Sequence, residues 1–324
     1  MNTAKTPAEP TPAVSVAVIC YNSAETLKET LDSILRQDYG PENIELILSD
    51  DASSDSTLDV AREWLRTNGE RFHRVEIIAK SSNEGVTRNC NSAWQIVTGQ
   101  WIKTIAADDI LLEHCLSANL AYVKQHPDCS VVFSRMKWFG SIDRVTPEPS
   151  QLAFFELPAI EQYKSLRFGS FNFAPTSFIR RATLATIGFA DESYRNIEDL
   201  PLWLNFTKNG YRLCFHDKVT VKYRVSHSIS KSSSRFVNVP FLRDLIKIHN
   251  SLKPLDSDGL QYRFLRFERG IGLYSTLLIS KICRNRRSGF SRLLEGLALL
   301  LRPTDLWGAL RRRLLRLVNR PAAH

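Results

Sequence analysis

A chain of 324 residues can bury a sizeable core and is long enough for one large domain or two smaller ones. Hydrophobic residues make up 43% of it and charged residues 24%, which is typical of a folded soluble protein and argues against general disorder. The net charge of +9 is concentrated at the end of the chain, because from Lys281 onward there are eleven Lys and Arg residues and only two acids. The rest of the chain is neutral overall.

Residues 1–12 and the cysteines bear on the compartment of the protein. The leader is rich in Pro, Thr and Ala and has neither an apolar core nor a cleavage-site pattern, so we expect a flexible segment and no signal peptide. The six cysteines are widely scattered, without a CxxC pair or the spacing of a zinc finger. This usage favours reduced, mostly buried thiols and a cytoplasmic protein.

Strands and helices alternate through the first third of the chain. Val14–Cys20 is a continuous apolar run, which predicts a strand covered on both faces, as in a parallel sheet, and a helical pattern follows it. The same alternation predicts strands at Ile44–Leu48, Val75–Ala79 and Trp101–Ala106 and helices at Thr57–Leu65 and Asn89–Val97. Such a pattern predicts a doubly wound α/β sheet, in which ligands bind outside the carboxyl ends of the strands.

Polar clusters fall where the predicted strands end. The first strand is followed by Tyr21, the second by Asp51, and the fourth by Asp108 and Asp109. Two adjacent carboxylates at such an edge can hold a divalent cation that clamps the oxygens of a diphosphate, although Asp-Asp pairs also occur in solvated turns. The chain has neither GxGxxG after the first strand nor GxxxxGK[ST], which argues against a nicotinamide or flavin site and against an ATPase-type phosphate loop.

A second pair of acids, Glu198 and Asp199, precedes Pro201, a residue suited to the first turn of a helix. The helix dipole favours charged carboxylates there, so helix capping explains one acid but not obviously two. Beyond this helix the pattern predicts two strands and a long helical region, at Tyr211–Phe215, Val219–Val225 and Pro240–Ile282, with a break at Lys253–Gly259.

The basic end of the chain is also rich in leucine. Arginines interleaved with leucines and with Trp307 suit the interfacial plane of a bilayer better than a nucleic-acid groove, where aromatic stacking platforms would be expected. Pro303 divides this tail into two short helical pieces. No stretch approaches about 18 uncharged apolar residues, so we expect no membrane-spanning helix. A helical cap packed on the main domain, with solvated arginines, is the alternative.

Five motifs, in chain order VSVAVICYN, LILSDDASSDST, NEGVTRN, IAADDI and NIEDLPLW, resemble those of family 2 glycosyltransferases. The likeness covers about residues 13–227. It implies the GT-A fold, a doubly wound α/β nucleotide-sugar-binding domain, over residues 13–230, and leaves residues 231–324 as a helical C-terminal extension with a basic amphipathic tail. In that family a nucleotide-sugar donor lies across the carboxyl ends of the sheet, and an inverting displacement moves the sugar onto an acceptor hydroxyl.

The resemblance assigns roles by motif. Asp51 resembles the acid that reads the nucleotide base, and Arg88 resembles the basic residue near the nucleotide and diphosphate. Tyr21, which follows the first strand, belongs to the same predicted donor-binding set. Asp199 resembles the catalytic base, with Glu198 as its rival. An acceptor hydroxyl must lose its proton as it attacks, so a carboxylate on the opposite face of the sugar suits this chemistry.

Asp108 and Asp109 resemble the ribose-binding and metal-binding carboxylates of the family's Asp-x-Asp region. The family pattern often begins with a further acid, but Ala106 stands at that position here, which leaves open which of the two carboxylates binds the metal. Arg224 and His227 resemble the family's late Arg-x-x-His element, where the imidazole can reach metal or diphosphate, although a lone histidine after a strand is more often structural. Hard oxygen ligands favour Mg or Mn as the cation.

These features predict a metal-dependent, inverting transferase that uses a UDP- or dTDP-sugar and a lipid-linked or cell-surface glycan acceptor. We expect it in the cytoplasm at the inner face of the membrane, with its tail on anionic lipid and with no nucleic-acid partner. A nucleotidyltransferase is disfavoured because the CYNSAET segment has neither Gly nor Lys. A non-catalytic nucleotide-sugar-binding protein or membrane-associated scaffold is the alternative, and it would not need Asp199.

Overall fold

The structure, a computed structural model, describes residues 14–169, 173–225 and 235–308. The chain divides into two compact units, residues 1–226 and residues 227–324. The predicted leader, residues 1–12, lies outside the described residues, as do His227 and the end of the basic tail.

The first unit contains strands and helices that alternate early and mix later. Its strands are β1 (Val14–Cys20), β2 (Ile44–Asp50), β3 (Arg74–Ala79), β4 (Trp101–Ala106), β5 (Ile110–Leu111), β6 (Val131–Gly140), β7 (Arg144–Thr146), β8 (Phe178–Arg180) and β9 (Leu213–Val225). Its α-helices are α1 (Leu27–Leu35), α2 (Thr57–Asn68), α3 (Val86–Ile96), α4 (Cys115–Gln125), α5 (Pro149–Glu156), α6 (Ala159–Leu166), α7 (Arg181–Ile187) and α8 (Asp199–Lys208).

The first four strands form the parallel half of one sheet, in the order β3–β2–β1–β4. Every residue of β2 is buried, and β1 is buried at all positions but Ile19, as expected for parallel strands that are covered on both faces. The register sets Cys20 beside Asp50 and Ile19 beside Ala106, so these strands end at one edge. The predicted doubly wound α/β arrangement is confirmed.

Beyond β4 the sheet becomes mixed. Strand β8 runs antiparallel to both β4 and β6, β9 runs parallel to β6, and β5 and β7 add antiparallel pairs to β9 and β6. Strand β9 is continuous where the sequence predicted two strands. A register shift opposite Ser134 and Arg135 absorbs the polar residues Asp217 and Lys218 without ending the pairing.

The prediction of reduced thiols throughout is wrong for one pair of cysteines. Cys129 and Cys214 form a disulfide, with their Cα atoms 6.2 Å apart and a sequence separation of 85 residues. Parallel pairing sets Val132 of β6 opposite Cys214 of β9, which brings Cys129, just before β6, to its side. Sequence spacing alone could not reveal this pair because the contact depends on the strand register. The remaining cysteines are free thiols: Cys20, Cys90, Cys115 and Cys283.

The second unit is helical in its described part. Its helices are α9 (Val239–Ser251), α10 (Leu260–Ile282) and α11 (Gly289–Leu300). The predicted helical region and its break at Lys253–Gly259 are confirmed, since that segment separates α9 from α10. Among the described residues, no helix combines the length and the apolarity needed to cross a bilayer.

Candidate active site

Side-chain hydrogen bonds tie together the loops that follow β1 and β2. The Asn22 N–H donates to Ser53 Oγ at 2.8 Å, and Asn22 Oδ1 accepts from the Ser54 N–H at 2.8 Å. Asn22 adopts a left-handed conformation, with φ of 50°, which asparagine tolerates better than most residues. Tyr21, one of the predicted donor-binding residues, stands beside this junction with 49% of its surface exposed. At this edge of the sheet, the exposed ring of Tyr21 therefore lies on a loop that is held in place by hydrogen bonds to the neighbouring loop.

Asp51 is held in the same loop region by the segment that precedes α3. Its carboxylate is almost fully buried and accepts hydrogen bonds from the Glu84 N–H at 2.9 Å and the Gly85 N–H at 2.8 Å. Lys80 Nζ lies 3.6 Å from its Oδ1 atom. Both carboxylate oxygens thus anchor a loop at the sheet edge, and the assignment of Asp51 to the nucleotide base stays a prediction.

The NEGVTRN motif connects this edge to the segment that leads into α8. Gly85 has a φ of 94°, and a Cβ atom there would overlap Arg195, so glycine is required both for the backbone conformation and for the close approach. Asn91 Nδ2 donates to the Ala190 carbonyl at 2.9 Å, and Asn91 Oδ1 accepts from the Ala190 N–H at 3.1 Å. Gly85 of the motif and Asn91, two residues after the motif ends, therefore position the 190–195 segment against α3.

Arg88, another residue of this motif, points along the exposed side of α3. Its guanidinium lies 3.2 Å from the Glu192 carboxylate and 3.7 Å from that of Glu84. About half of the side chain is exposed, so these ion pairs are solvent-screened and weak. A diphosphate could compete for the guanidinium, and the predicted role of Arg88 near the donor stays a prediction.

Asp108, Asp109 and Arg224 are brought together by the pairing of β5 with β9. The Arg224 N–H donates to Asp109 Oδ1 at 2.9 Å, and Arg224 Nε donates to the Asp108 carbonyl at 2.8 Å. The same guanidinium pairs with Glu29 and lies 4.6 Å from the centre of the Phe139 ring. Arg224 therefore fixes the turn that carries both acids.

The two carboxylates of this turn have the chemistry of a divalent-cation site. Asp109 is 1% exposed, and its Oδ2 atom has no hydrogen-bond partner among the described residues. Burial and the neighbouring charge of Asp108 raise the pKa of Asp109 to about 8. Burial also raises the pKa of Asp108. A cation fits here because it neutralises both carboxylates and binds hard oxygen ligands.

A third protein ligand is not found in the described part of the chain. No group of three or more His, Cys, Asp or Glu side chains within residues 14–169, 173–225 and 235–308 could hold a metal. His227, the predicted third ligand, lies outside those ranges. Two carboxylates suffice for Mg or Mn when substrate oxygens and water complete the coordination. That Asp108 and Asp109 hold the metal stays a prediction.

A buried lysine that the sequence pattern did not single out interacts electrostatically with Asp109. Lys103, in the middle of β4, is fully buried, and its Nζ atom donates to the carbonyls of Pro175 and Ser177, the latter at 3.3 Å. Burial lowers the pKa of Lys103 to about 8, while Asp109 is among the groups that favour the charged form. The signal was present in the sequence, because Lys103 is the one charge inside the apolar run WIKTIA.

We expect Lys103→Met to lower the free energy of unfolding by about 2–4 kcal/mol, because two buried carbonyls lose their donor. Urea denaturation followed by circular dichroism measures the change. Lys28→Met is the matched control, since Lys28 is an exposed lysine of α1 and its loss should cost less than about 0.5 kcal/mol. Equal losses in the two variants would show that the buried hydrogen bonds of Lys103 contribute nothing.

Glu198 and Asp199 stand at the N-terminus of α8, as predicted. Asp199 Oδ1 accepts from the Leu200 N–H at 2.6 Å, whereas Glu198 makes no side-chain capping bond. Burial raises the pKa of both acids, and the negative charge of Asp199 raises that of Glu198 further, to about 8. The two acids therefore titrate as a pair, and the pair retains a proton near neutral pH.

A cavity of about 120 Å³ connects this acid pair to the end of β4. Its walls come from the ends of β1 and β4, from α3, from the 174–177 turn and from α8. Ala106 contributes a methyl group to the wall, at the position where the family pattern often has an acid. Because Ala106 precedes the Asp108–Asp109 pair by two residues, both acid pairs flank one region of the sheet edge.

The charge of Asp51 acts on Cys90, a residue that lines this cavity. Cys90, a buried residue of α3 in the cavity wall, has a pKa well above its ordinary value because of burial and of the charges of Glu198, Asp199 and Asp51. Lys80, which the sequence pattern did not single out, is the opposing charge, with its Nζ atom 3.0 Å from Glu84. A lysine directly after β3, at this same edge, was the available signal.

The family model for glycosyl transferase family 2 matches residues 15–186, which is more than half of the chain. The chain belongs to glycosyl transferase family 2. This confirms the resemblance carried by the five sequence motifs, and glycosyl transfer is the general activity of the family 2 protein. The matched range ends before Glu198 and Asp199, so the roles of those two acids depend on the geometry described above.

Two curated relatives and one solved structure resemble this family 2 chain. EpsE of Bacillus subtilis, a predicted glycosyltransferase, is 30% identical over 203 residues, covering 62% of this chain and 69% of EpsE. WfaP of Escherichia coli, a UDP-Glc:α-D-GlcNAc-diphosphoundecaprenol β-1,3-glucosyltransferase, is 27% identical over 242 residues, covering 75% of this chain and 86% of WfaP.

The structure is the mannosyltransferase PcManGT from Pyrobaculum calidifontis in complex with GDP-Man and Mn²⁺. It aligns with a TM-score of 0.58 at 17% identity, over 96% of this chain and 89% of that chain. At this identity the likeness shows the fold alone. With the family match it confirms the predicted GT-A fold, and the helical C-terminal region is present as predicted.

Proposed function

We propose that this family 2 protein transfers a sugar, with inversion, from a UDP- or dTDP-activated donor to a hydroxyl of a lipid-linked or cell-surface glycan. The observation that carries the proposal is the cavity that Asp199 shares with Ala106, next to the Asp108–Asp109 pair. The name of the E. coli relative supports the donor and acceptor classes, because it gives a UDP-glucose donor and a diphosphoundecaprenol-linked acceptor.

Asp199 is the proposed general base. Inversion requires the acceptor hydroxyl to attack from the face opposite the leaving diphosphate, so base and leaving group must flank one space. The position of Asp199 in a cavity that reaches Ala106, two residues before Asp108, supports this assignment. Desolvation raises the pKa of Asp199, which makes it a stronger base than an exposed aspartate, and Glu198 beside it shares the proton of the pair. A positioned base of this kind typically contributes about 10²- to 10⁴-fold to the rate.

Asp108 and Asp109 are the proposed ligands of a Mg or Mn ion. When bound, the cation would supply positive charge that stabilises the departing diphosphate. Arg224 orients Asp109 through its N–H and holds the turn through the Asp108 carbonyl. Tyr21, Asp51 and Arg88 complete the proposed donor site, and His227 is proposed as a further ligand. The Mn²⁺ bound in the P. calidifontis mannosyltransferase supports the choice of cation.

The proposal locates the reaction at the cytoplasmic face of the cell membrane, with no nucleic-acid partner. Two observations support it. The end of the chain is basic and rich in leucine, which suits an anionic lipid surface. The acceptor named for the E. coli relative is attached to a lipid. A lipid-linked acceptor stays at the bilayer, so the enzyme that extends it has to work there.

The decisive experiment incubates the purified chain with a panel of UDP-, dTDP- and GDP-sugars, Mn²⁺ and a lipid-diphosphate-linked acceptor. Mass spectrometry identifies the product, and NMR of the new glycosidic bond gives its anomeric configuration. We expect one UDP- or dTDP-sugar to be used with inversion. Binding of UDP without turnover of any donor would favour a non-catalytic scaffold instead, and a retained anomeric configuration would refute the proposed displacement.

The acid pair predicts a pH dependence that Glu198→Gln should weaken. A carboxyl whose folded-state pKa is raised stabilises the fold below its unfolded pKa and loses that contribution as pH rises through the folded value, here from about 4.5 to about 8. The free energy of unfolding of the wild type should therefore fall between pH 5 and pH 8. Glu198→Gln should reduce this fall by about 1 kcal/mol or more, measured by urea denaturation at each pH. An unchanged slope would contradict the raised pKa of Glu198.

A further inference from the structure

Helix α10 exposes an apolar stripe along its whole length. The stripe repeats at helical spacing and consists of Leu260, Phe264, Phe267, Tyr274, Leu278 and Ile282. Leu260 is 84% exposed and Phe267 66%, values expected of charged residues on the surface of a soluble protein. A contiguous exposed face of this kind marks an interaction site.

The buried residues of α10 are mostly polar or small, with Ile279 the one large apolar side chain among them, whereas the other large apolar side chains of the helix that form the stripe are exposed. Its buried residues include Glu268 and Gly272. Both Glu268 oxygens accept hydrogen bonds from Thr304, and a Cβ atom at Gly272 would overlap the Arg302 guanidinium. The segment after α11 thus covers the side of α10 that carries Glu268 and Gly272, and the apolar stripe remains exposed to solvent. Among its described residues, the beginning of the basic tail packs on α10.

Helix α11 continues the apolar surface. It packs against α10, and Ser291 is the one residue of α11 that is buried. Its exposed large apolar residues are Phe290, Leu293, Leu297 and Leu300. The α10–α11 hairpin therefore presents apolar side chains from both of its helices.

Cations accompany this apolar surface. Between Arg263 and Arg292 the chain has eight Lys and Arg residues and one acid, the buried Glu268. The turn between α10 and α11 holds three of these cations, Arg284, Arg286 and Arg287. An apolar face rimmed by cations matches the interfacial region of a bilayer with anionic lipids.

A cationic pocket opens on the same stripe. It has a volume of about 530 Å³ and is lined by residues of α9 and α10, including His249, Arg263, Arg266, Phe267 and Tyr274. Arg266 Nη2 donates to the His249 carbonyl at 3.3 Å, but its Nη1 atom is buried and has no hydrogen-bond partner within the described ranges of the chain. A buried guanidinium nitrogen without an acceptor is costly, and an anionic oxygen would satisfy it.

The charges around the pocket agree with an anionic ligand. The pKa of His249 is lowered by burial and then by the charges of Arg266 and Arg269. Arg269 also has a buried Nε atom without a partner among the residues described. The residues that line the pocket therefore include two arginines and no acid, so the electrostatic potential in the pocket is positive.

We propose that the α10–α11 hairpin lies on the surface of a membrane, with its apolar stripe in the interface and the phosphate of an anionic phospholipid in the Arg263–Arg266 pocket. The inference rests on the membrane location proposed above but on no part of the proposed chemistry. A second copy of the chain fits less well, because two such faces would bring their arginines together, whereas anionic lipid neutralises them.

The test uses the full chain and vesicles of phosphatidylcholine with or without phosphatidylglycerol, and measures binding by co-sedimentation. Phe267→Ser with Leu278→Ser should weaken binding to anionic vesicles about 10-fold or more. Arg263→Gln with Arg266→Gln should weaken it about 10- to 30-fold and remove the preference for phosphatidylglycerol. All four side chains lie on the surface of α10 or at the pocket, so these variants should remain folded, as circular dichroism can check.

Two matched controls remove the same chemistry elsewhere. Ile142→Ser with Ile160→Ser removes exposed apolar side chains from the first unit and should leave vesicle binding unchanged. Arg312→Gln with Arg313→Gln removes two charges from the end of the tail and should cost less than the pocket variant. An equal loss of vesicle binding in the two arginine variants would show that only the net charge matters, and it would refute the phosphate site in the pocket. Unchanged binding in the Phe267 and Leu278 variant would refute the docking face.

Two more measurements distinguish membrane docking from self-association and from sugar transfer. Sedimentation velocity without lipid should give the same mass for the wild type and the Phe267 and Leu278 variant; a dimer that this variant dissociates would instead identify a second copy as the occupant. Sugar transfer to a soluble acceptor analogue should survive in all variants. A wild type that binds vesicles but transfers no sugar would refute the proposed function and leave the docking inference standing.

Discussion

Asp199→Asn is expected to reduce kcat for sugar transfer by about 10²- to 10⁴-fold and to leave the affinity for UDP unchanged. The amide keeps the size of the side chain and an oxygen for the Leu200 N–H, but it cannot take the proton of the acceptor hydroxyl. Steady-state kinetics give kcat, and calorimetric titration with UDP gives the affinity. This separation of rate from binding is what a general base requires.

Glu198→Gln is the matched control for Asp199→Asn, because it changes the adjacent acid of the same helix turn. If Glu198 is protonated at neutral pH, its amide resembles the native state and kcat should stay within about tenfold of the wild type. A larger loss in Glu198→Gln than in Asp199→Asn would reverse the assignment of the base. Equal, full activity in both variants would remove this acid pair from the reaction.

Asp109→Asn is expected to lower kcat about 100-fold or more at saturating donor with Mn²⁺ present, because the proposed cation loses a ligand. The amide oxygen can still accept a hydrogen bond from the Arg224 N–H, so the turn itself should persist.

Without metal, Asp109→Asn should be at least as stable as the wild type near pH 8, since it removes a buried charge next to Asp108. Thermal denaturation with and without Mn²⁺ measures this directly.

The metal dependence of stability distinguishes a cation site from a merely structural turn. Mn²⁺ should raise the Tm of the wild type, because a ligand that binds the folded state stabilises it, and should leave the Tm of Asp109→Asn unchanged. Asp59→Asn, an exposed aspartate of α2, is the control and should respond to Mn²⁺ as the wild type does. An equal Tm shift in Asp109→Asn and the wild type would place the cation elsewhere.

Local sequence was sufficient for the parallel half of the sheet. The strands β1, β2 and β4 are rich in apolar residues and separated by helical patterns, and the continuous apolar run of β1 is typical of a strand covered on both faces. The positions of Asp108, Asp109, Glu198 and Asp199 at element ends could be predicted for the same reason, because turn and helix-start chemistry is local.

Contacts between residues far apart in the chain could not be predicted from the sequence. Strand β5 has two residues and β8 has three, too few to show a period, and they are recognisable only through their partners. The Cys129–Cys214 disulfide depends on the register of β6 and β9, and Lys103 depends on the 174–177 turn that receives its hydrogen bonds. The exposure of the apolar stripe of α10 could not be predicted either, because periodicity reveals an apolar stripe but not whether another element covers it.

The sequence by itself determined the fold class, the family and the acids to be considered, because each of these follows from patterns within a few consecutive residues. The tertiary structure decided which acids meet. It set Asp199 and Ala106 in one cavity, gave Asp109 its Arg224 partner, and raised the pKa values of Asp109 and Asp199. The physical reason is that burial and Coulomb interactions depend on distances through space, which separation along the chain does not encode.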